Sequence, residues 1–198
     1  MSSVELFAKG GPVMYLLLVC SLSAVAIAID RFCFFRKAER NSAALLAGLY
    51  RLLKGSEPQA ALQELEREAG AVAFLAKAGL TAAKEQTDVT LAVETAYSEA
   101  ALQLRAHLSY LSTIVTLSPL LGLLGTIFGM ISSFNIFNLQ AGQPLAITGG
   151  IGEALIATAC GLFVAIFALV IHAYFAQRMD KVLTDLDKSK ATVIAALG

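Results

Sequence analysis

Three stretches of the chain are apolar along nearly their whole length, and the polar residues are gathered between and after them. Val13 to Ile29 is uncharged and mainly apolar; a second run extends from Leu108 to Phe134 and a third from Ile147 to Phe175. A helix rises about 1.5 Å per residue, so roughly 20 such residues cross the hydrocarbon core of a bilayer. The pattern predicts transmembrane helices at 13–29, 108–134 and 147–175. Pro12 suits the first turn of the first span, where its missing N–H is not needed.

Between the first two runs the hydrophobic positions change to helical spacing. Leu45, Leu46, Leu49, Leu52 and Leu53 predict one amphipathic helix, stopped by Gly55. Ser56 to Gln59 has the S-x-x-Q form of a capping box and predicts the start of a second helix, carrying Leu62 and Leu65. Gly70 breaks it, and Ala71 to Lys84 reads as a third. From Asp88, an N-cap residue by type, no Gly or Pro occurs before Pro119. That predicts one uninterrupted helix entering the second span, with Leu91, Leu102, Leu104 and Leu108 on it. The charges of Glu64, Glu66, Arg67 and Glu68 read as a solvated face. The fold class is an all-α membrane protein with three transmembrane helices and long helical extensions.

Composition agrees: 57% of the 198 residues are hydrophobic and 15% charged. A net charge of zero, with no basic block, argues against a nucleic-acid partner. Cys20, Cys33 and Cys160 are odd in number and lie in or beside apolar runs, so they read as packing residues and not as a disulfide framework. Ala26-Ile27-Ala28 has the look of a signal-peptide cleavage site. The weakly basic head and the Arg-rich segment that follows favour a permanent span instead. Ten of the Lys and Arg residues fall between Arg31 and Arg105, and four more (Arg178, Lys181, Lys188, Lys190) follow Phe175. Such residues accumulate on the cytoplasmic side. The expected order is a head outside at 1–12, a cytoplasmic region at 30–107, a loop outside at 135–146 and a cytoplasmic tail at 176–198.

Candidate chemistry is confined to the second and third spans. At 100° per residue, Ser118, Gly122, Gly125 and Gly129 form one narrow stripe. Small residues four apart let helix backbones approach where there is no hydrophobic drive to associate. An adjacent face collects Ser112, Thr116, Pro119, Thr126 and Ser133. On the third span Ala154, Ala157, Thr158, Gly161, Ala165 and Ala168 share one face, with Glu153 at its edge and His172 near its inner end. Leu155, Leu162, Phe163, Ile166 and Val170 form the opposite face, suited to lipid or bundle packing. Glu153 is the one acidic residue between Glu99 and Asp180. An ionisable group inside a span is costly unless paired or wetted, so it marks a candidate site; an interfacial place at a helix N-terminus is the other reading. Serine and threonine hydroxyls also bond locally to the preceding turn. Three helices cannot by themselves enclose an aqueous path, so a conduit requires several copies.

The motifs Ser118-Pro-Leu-Leu-Gly-Leu-Leu-Gly-Thr126-Ile-Phe-Gly129 and Gly150-Ile-Gly-Glu153-Ala-Leu-Ile-Ala-Thr158-Ala-Cys-Gly-Leu162 resemble the MotA/TolQ/ExbB proton channel family, in its three-span ExbB/TolQ branch. Asp30-Arg31 after the first span fits too. The resemblance implies a ring, usually of five subunits, in the bacterial inner membrane. The ring would surround a dimer of a single-span, ExbD- or TolR-like partner and work with a TonB- or TolA-like protein. It implies that Thr126 and Thr158 line the lumen with Glu153, and that protons drive the partner; no cofactor or metal is implied. Phe167, where many relatives have Pro, and His172-Ala173, where they have Tyr-Asn, depart from the pattern. Alternatives are a non-conducting scaffold and a sodium-coupled motor of the same family. No nucleophile–base pair or metal-ligand cluster suggests an enzyme.

Overall fold

Pro12 opens a helix, α1, that continues from Val13 past the expected end of the first span to Ala38. This computed structural model describes residues 11–55, 57–139 and 144–198, with backbone alone for 136–139, 144–148 and 153. After α1 come α2 (Ser42–Gly55), α3 (Pro58–Arg67), α4 (Ala71–Lys84), α5 (Val89–Arg105), α6 (Leu108–Leu139) and α7 (Pro144–Leu197). No strand occurs among the described residues. The helices α6 and α7 extend into the stretch expected as the 135–146 loop; residues 140–143 of it, like residues 1–10 of the head, lie outside the described part.

Local chemistry sets most of these boundaries. Gly70 holds φ at +131°, a conformation an L side chain resists, and a Cβ there would lie 2.8 Å from the Arg40 carbonyl oxygen. Asp88 caps α5 by accepting the Leu91 N–H at 3.0 Å. Two expectations are corrected. The N-cap of α3 is Glu57, with Pro58 in the first turn and no side-chain cap bond; Ser56 lies outside the described residues. The helix from Asp88 does not run unbroken into the second span either. Ala106 turns to an extended conformation (ψ 144°) and His107 to a left-handed one (φ 64°), separating α5 from α6.

The chain packs as two units. The described part of Met1–Ile29 and His107–Ala173 make the first. Ala24, Leu111, Ile114 and Ala168 form one buried cluster, flanked by Cys20, Val164 and Ile171. Val13, Met14 and Leu17 form another, against Leu121 and Cys160. Large apolar side chains cover the outside of this unit: Leu16, Leu22, Leu120, Phe128, Phe163 and Val170 are all exposed. A water-facing surface would not carry such a belt, whereas lipid solvates it without cost. Three helices among the described residues are long and apolar enough to span a bilayer, and the chain is a multi-pass membrane protein.

Asp30–Ala106 and Tyr174–Gly198 form the second unit. Its core contains fully buried Leu49, Leu65, Leu75, Val93, Leu104, Leu186 and Val193, and the rings of Phe35 and Phe175 stack with centroids 5.6 Å apart. Of the leucines expected on α5, Leu104 is buried but Leu91 and Leu102 are exposed. Glu64, Glu66 and Arg67 face solvent, while Glu68 accepts a bond from the Asn41 side chain at 2.8 Å. Arg31 is buried, and its charge is matched as burial requires. It pairs with Asp30 at 2.9 Å, and its Nη1 donates to the Gln103 carbonyl at 3.1 Å, one of the acceptors left open at the end of α5.

Candidate functional site

Within the first unit, α6 and α7 meet through small residues. A Cβ added to Gly122 would lie 3.0 Å from the Thr158 Cα. One on Gly125 would reach the Ala157 Cβ at 2.5 Å, and one on Gly129 the Ala154 Cβ at 2.8 Å. On the other helix, a Cβ on Gly161 would stand 2.6 Å from the Ser118 carbonyl oxygen and 2.9 Å from the Gly122 Cα. The two backbones therefore touch, which only glycine at these places allows. Ala154, Ala157, Ala165 and Ala168 are all buried. Leu155, Leu162, Phe163, Ile166 and Val170 project from the opposite side of α7.

Ser118 is fully buried, with the Cys20 thiol of α1 as its polar neighbour. Ser133 is buried too; it donates to the Gly129 carbonyl at 2.8 Å and packs directly against Gly150. The Ser133–Gly150 contact was not singled out from sequence. Its signal was present nonetheless, because Gly150, Ala154, Ala157 and Gly161 continue a spacing of three and four.

The hydroxyl-bearing residues are treated in two ways. Thr116 donates to the Thr113 carbonyl at 3.0 Å, and Thr126 to the Leu123 carbonyl at 2.6 Å. Both bonds stay within α6. Such back-bonding uses the hydroxyl proton and leaves the oxygen lone pairs as acceptors. Ser112 and Thr116 are exposed and Thr126 half-buried, and about a quarter turn separates this face from the glycine stripe. Thr158 behaves differently. Its hydroxyl donates across the helix pair to the Gly122 carbonyl at 2.9 Å.

Thr158 thus sits at the edge of the α6–α7 contact, one helical turn along α6 from Thr126. Glu153 belongs to α7 by its backbone, five residues and about 140° of helical rotation from Thr158; its side chain lies outside the described residues. His172 is half-buried near the far end of the same helical stretch. The structure therefore brings Thr158, Gly122 and the turn bearing Thr126 together, and places Ser112 and His172 well along their helices from that point.

Residues 37–188 match the model of the MotA/TolQ/ExbB proton channel family. The protein called ExbB-like 3 of Synechocystis sp. is 37% identical over 172 residues, which cover 84% of this chain and 81% of that one. A Tol-Pal system protein, TolQ of Pseudomonas aeruginosa, is 38% identical over 96 residues, covering 48% of this chain and 42% of that one. The biopolymer transport protein ExbB of Salmonella typhimurium is 41% identical over 86 residues, covering 43% and 35%.

Proposed function

This chain belongs to the MotA/TolQ/ExbB proton channel family, and from that premise we propose that it is the proton-conducting subunit of an energy-transducing motor. In this reading several copies, five by family habit, form a ring in the bacterial inner membrane, with the N-terminus periplasmic and the C-terminus cytoplasmic. The ring encloses a dimer of a single-span, ExbD- or TolR-like protein. Proton flow moves that partner, which delivers force towards the outer membrane through a TonB- or TolA-like protein.

The observation that carries the reading is the state of the hydroxyls on α6. Ser112 and Thr116 are exposed and Thr126 is half-buried, and the Thr116 and Thr126 protons are committed to the helix's own carbonyls. Their oxygens can accept a hydrogen bond from water or from a protonated acid on the partner, yet they carry no charge that would trap a proton. A face of this kind suits passage more than tight binding. The membrane potential supplies about 2.3 kcal/mol per charge per 100 mV. Glu153, one helical turn inside the third span, is the acidic group this path would use.

The test replaces Thr126 and Thr158 together by valine, which keeps shape and removes the hydroxyls. Motor-dependent activity is expected to be lost while the ring still assembles. Undiminished activity would sink the conducting role. It would favour a scaffold instead, in which only changes to the glycine stripe, such as Gly122→Leu, matter.

A further inference from the structure

On the side of α6 turned away from the glycine stripe, the exposed residues change character at one level. Ser109, Ser112, Thr113 and Thr116 are all exposed, and at 100° per residue they fall within a sector of about 100°. Leu120, Leu123, Ile127, Met130, Ile131 and Phe134 occupy the same sector further along the helix and are exposed too. A run of hydroxyls gives way to a run of large apolar side chains, and no position in the sector interrupts either. The change falls at Pro119, inside the helix. Proline has no N–H for the carbonyl four residues before it, which here is that of Val115.

The hydroxyl half is built for a neighbour that can donate. Thr113 gives its proton to the Ser109 carbonyl and Thr116 to the Thr113 carbonyl, both at 3.0 Å. What these two hydroxyls have left is acceptor capacity, and a hydrocarbon chain has no proton to offer. Counted from Leu108, where the apolar run begins, Thr116 lies about 12 Å along the helix. That is deeper than a headgroup layer of several ångströms. The apolar half has the opposite nature, because a passage walled by such side chains expels water. Besides fully buried Ser118, Thr126 is the one hydroxyl between Leu117 and Ile131. About 15 Å of helical rise separate it from Thr116.

We infer that, in the assembled protein, water enters along this face from the Leu108 end as far as Thr116 and stops at an apolar collar that begins with Leu120. Such entry presupposes the ring proposed for this chain, since one copy encloses nothing. The path is then wet over its first turns and dry beyond them. An ion that keeps its water shell is halted at the collar, so the collar guards the membrane against leakage.

Cysteine accessibility tests this. Cys20, Cys33 and Cys160 are replaced by alanine in the full chain, and single variants Ser112→Cys, Thr116→Cys, Leu117→Cys, Leu123→Cys and Ile127→Cys are made. Membranes containing each variant are opened by freeze–thaw, so that reagent reaches both faces, and treated with a small cationic methanethiosulfonate. The reagent attacks the thiolate and therefore works only where there is water. Thiols left unblocked are then counted with a maleimide after denaturation. Ser112→Cys and Thr116→Cys should be blocked, and the three leucine and isoleucine positions should stay free. Leu117 lies at the depth of Thr116 but on another side of the helix, so equal blocking of the two would mean interfacial water and overturn the inference. Blocking that continues through Leu123 and Ile127 would remove the collar but keep an enclosed aqueous lumen. No blocking at Thr116 or any deeper position would overturn the vestibule and the lumen together. Variants are scored only if they keep the parent's assembly size in mild detergent, and Thr113→Cys is the second reporter of the hydroxyl half.

Discussion

The Thr158 hydroxyl on α7 and the Gly122 carbonyl on α6 are joined at 2.9 Å across 36 positions of sequence. In a helix the Gly122 carbonyl also serves the N–H of residue 126, so one peptide group links Thr158 to the turn that carries Thr126. A glycine is needed for this approach, since a Cβ at 122 would lie 3.0 Å from the Thr158 Cα. Close packing and polar chemistry are therefore one construction here and not two neighbouring ones.

Thr158→Val removes that bond without orphaning the Gly122 carbonyl, which keeps its helical donor. The expected loss of stability is about 0.6 kcal/mol, typical of a hydrogen bond between membrane helices. Thr158→Ser should recover it. Thermal unfolding of the detergent-solubilised protein measures both, and a loss several times larger would mean that Thr158 holds more than this contact.

Two glycines on α7 should respond in opposite ways to alanine. At Gly161 the added methyl meets the Ser118 carbonyl oxygen and the Gly122 backbone, and overpacking against atoms that cannot rotate away costs about 1–3 kcal/mol. At Gly152 nothing lies within 4 Å, so Gly152→Ala should be neutral or stabilise by about 0.5–1 kcal/mol through helix propensity. The midpoint of thermal unfolding should fall for Gly161→Ala and stay level or rise for Gly152→Ala.

In the second unit, a methyl on Gly79 would run into the Val193 side chain and lie 2.9 Å from that of Val93. Gly79→Ala is expected to destabilise by about 1–3 kcal/mol, and Val193→Ala alone by somewhat less through its cavity. The double variant should be more stable than the sum of the two effects predicts. Denaturant melts of all four proteins form the cycle that checks this coupling.

Tyr97 supplies a pH signature. Burial, then its hydrogen bond to Asp187 and that residue's charge, hold its phenol above the ordinary range, while Arg105 pulls the other way. The folded value exceeds the unfolded one, so the contribution is complete below about pH 10 and disappears as pH rises through the folded value. Tyr97→Phe should lower stability at neutral pH by about 0.5–1.5 kcal/mol through the lost bond to Asp187 and make the alkaline decline shallower, as melts at stepped pH would record.

Much of the architecture is legible in the chain because local chemistry suffices for it. Gly70 and Asp88 mark the limits of α4 and α5 in the places expected, and Ala71–Lys84 forms a helix over the expected range. The local bonds of Thr116 and Thr126 follow from the ordinary habit of threonine in helices. The break at Ala106–His107 does not: no glycine or proline announces it, and the left-handed turn of His107 is one that most residues avoid. Nor does the α3 start at Glu57–Pro58, where the S-x-x-Q pattern pointed one residue earlier.

Composition and period alone settle that the chain makes apolar helices long enough to cross a bilayer, and that the last two carry one-sided small-residue faces. Those are properties of single helices, and every residue in a helix has a known direction. Which face meets which partner is decided only by packing. Thr158 and Thr126 looked equivalent as hydroxyls on neighbouring helices, yet one bonds across the helix pair and the other to its own preceding turn. The difference arises because the Gly122 and Gly161 backbones come within contact of each other, and a distance between helices is not written in either helix alone.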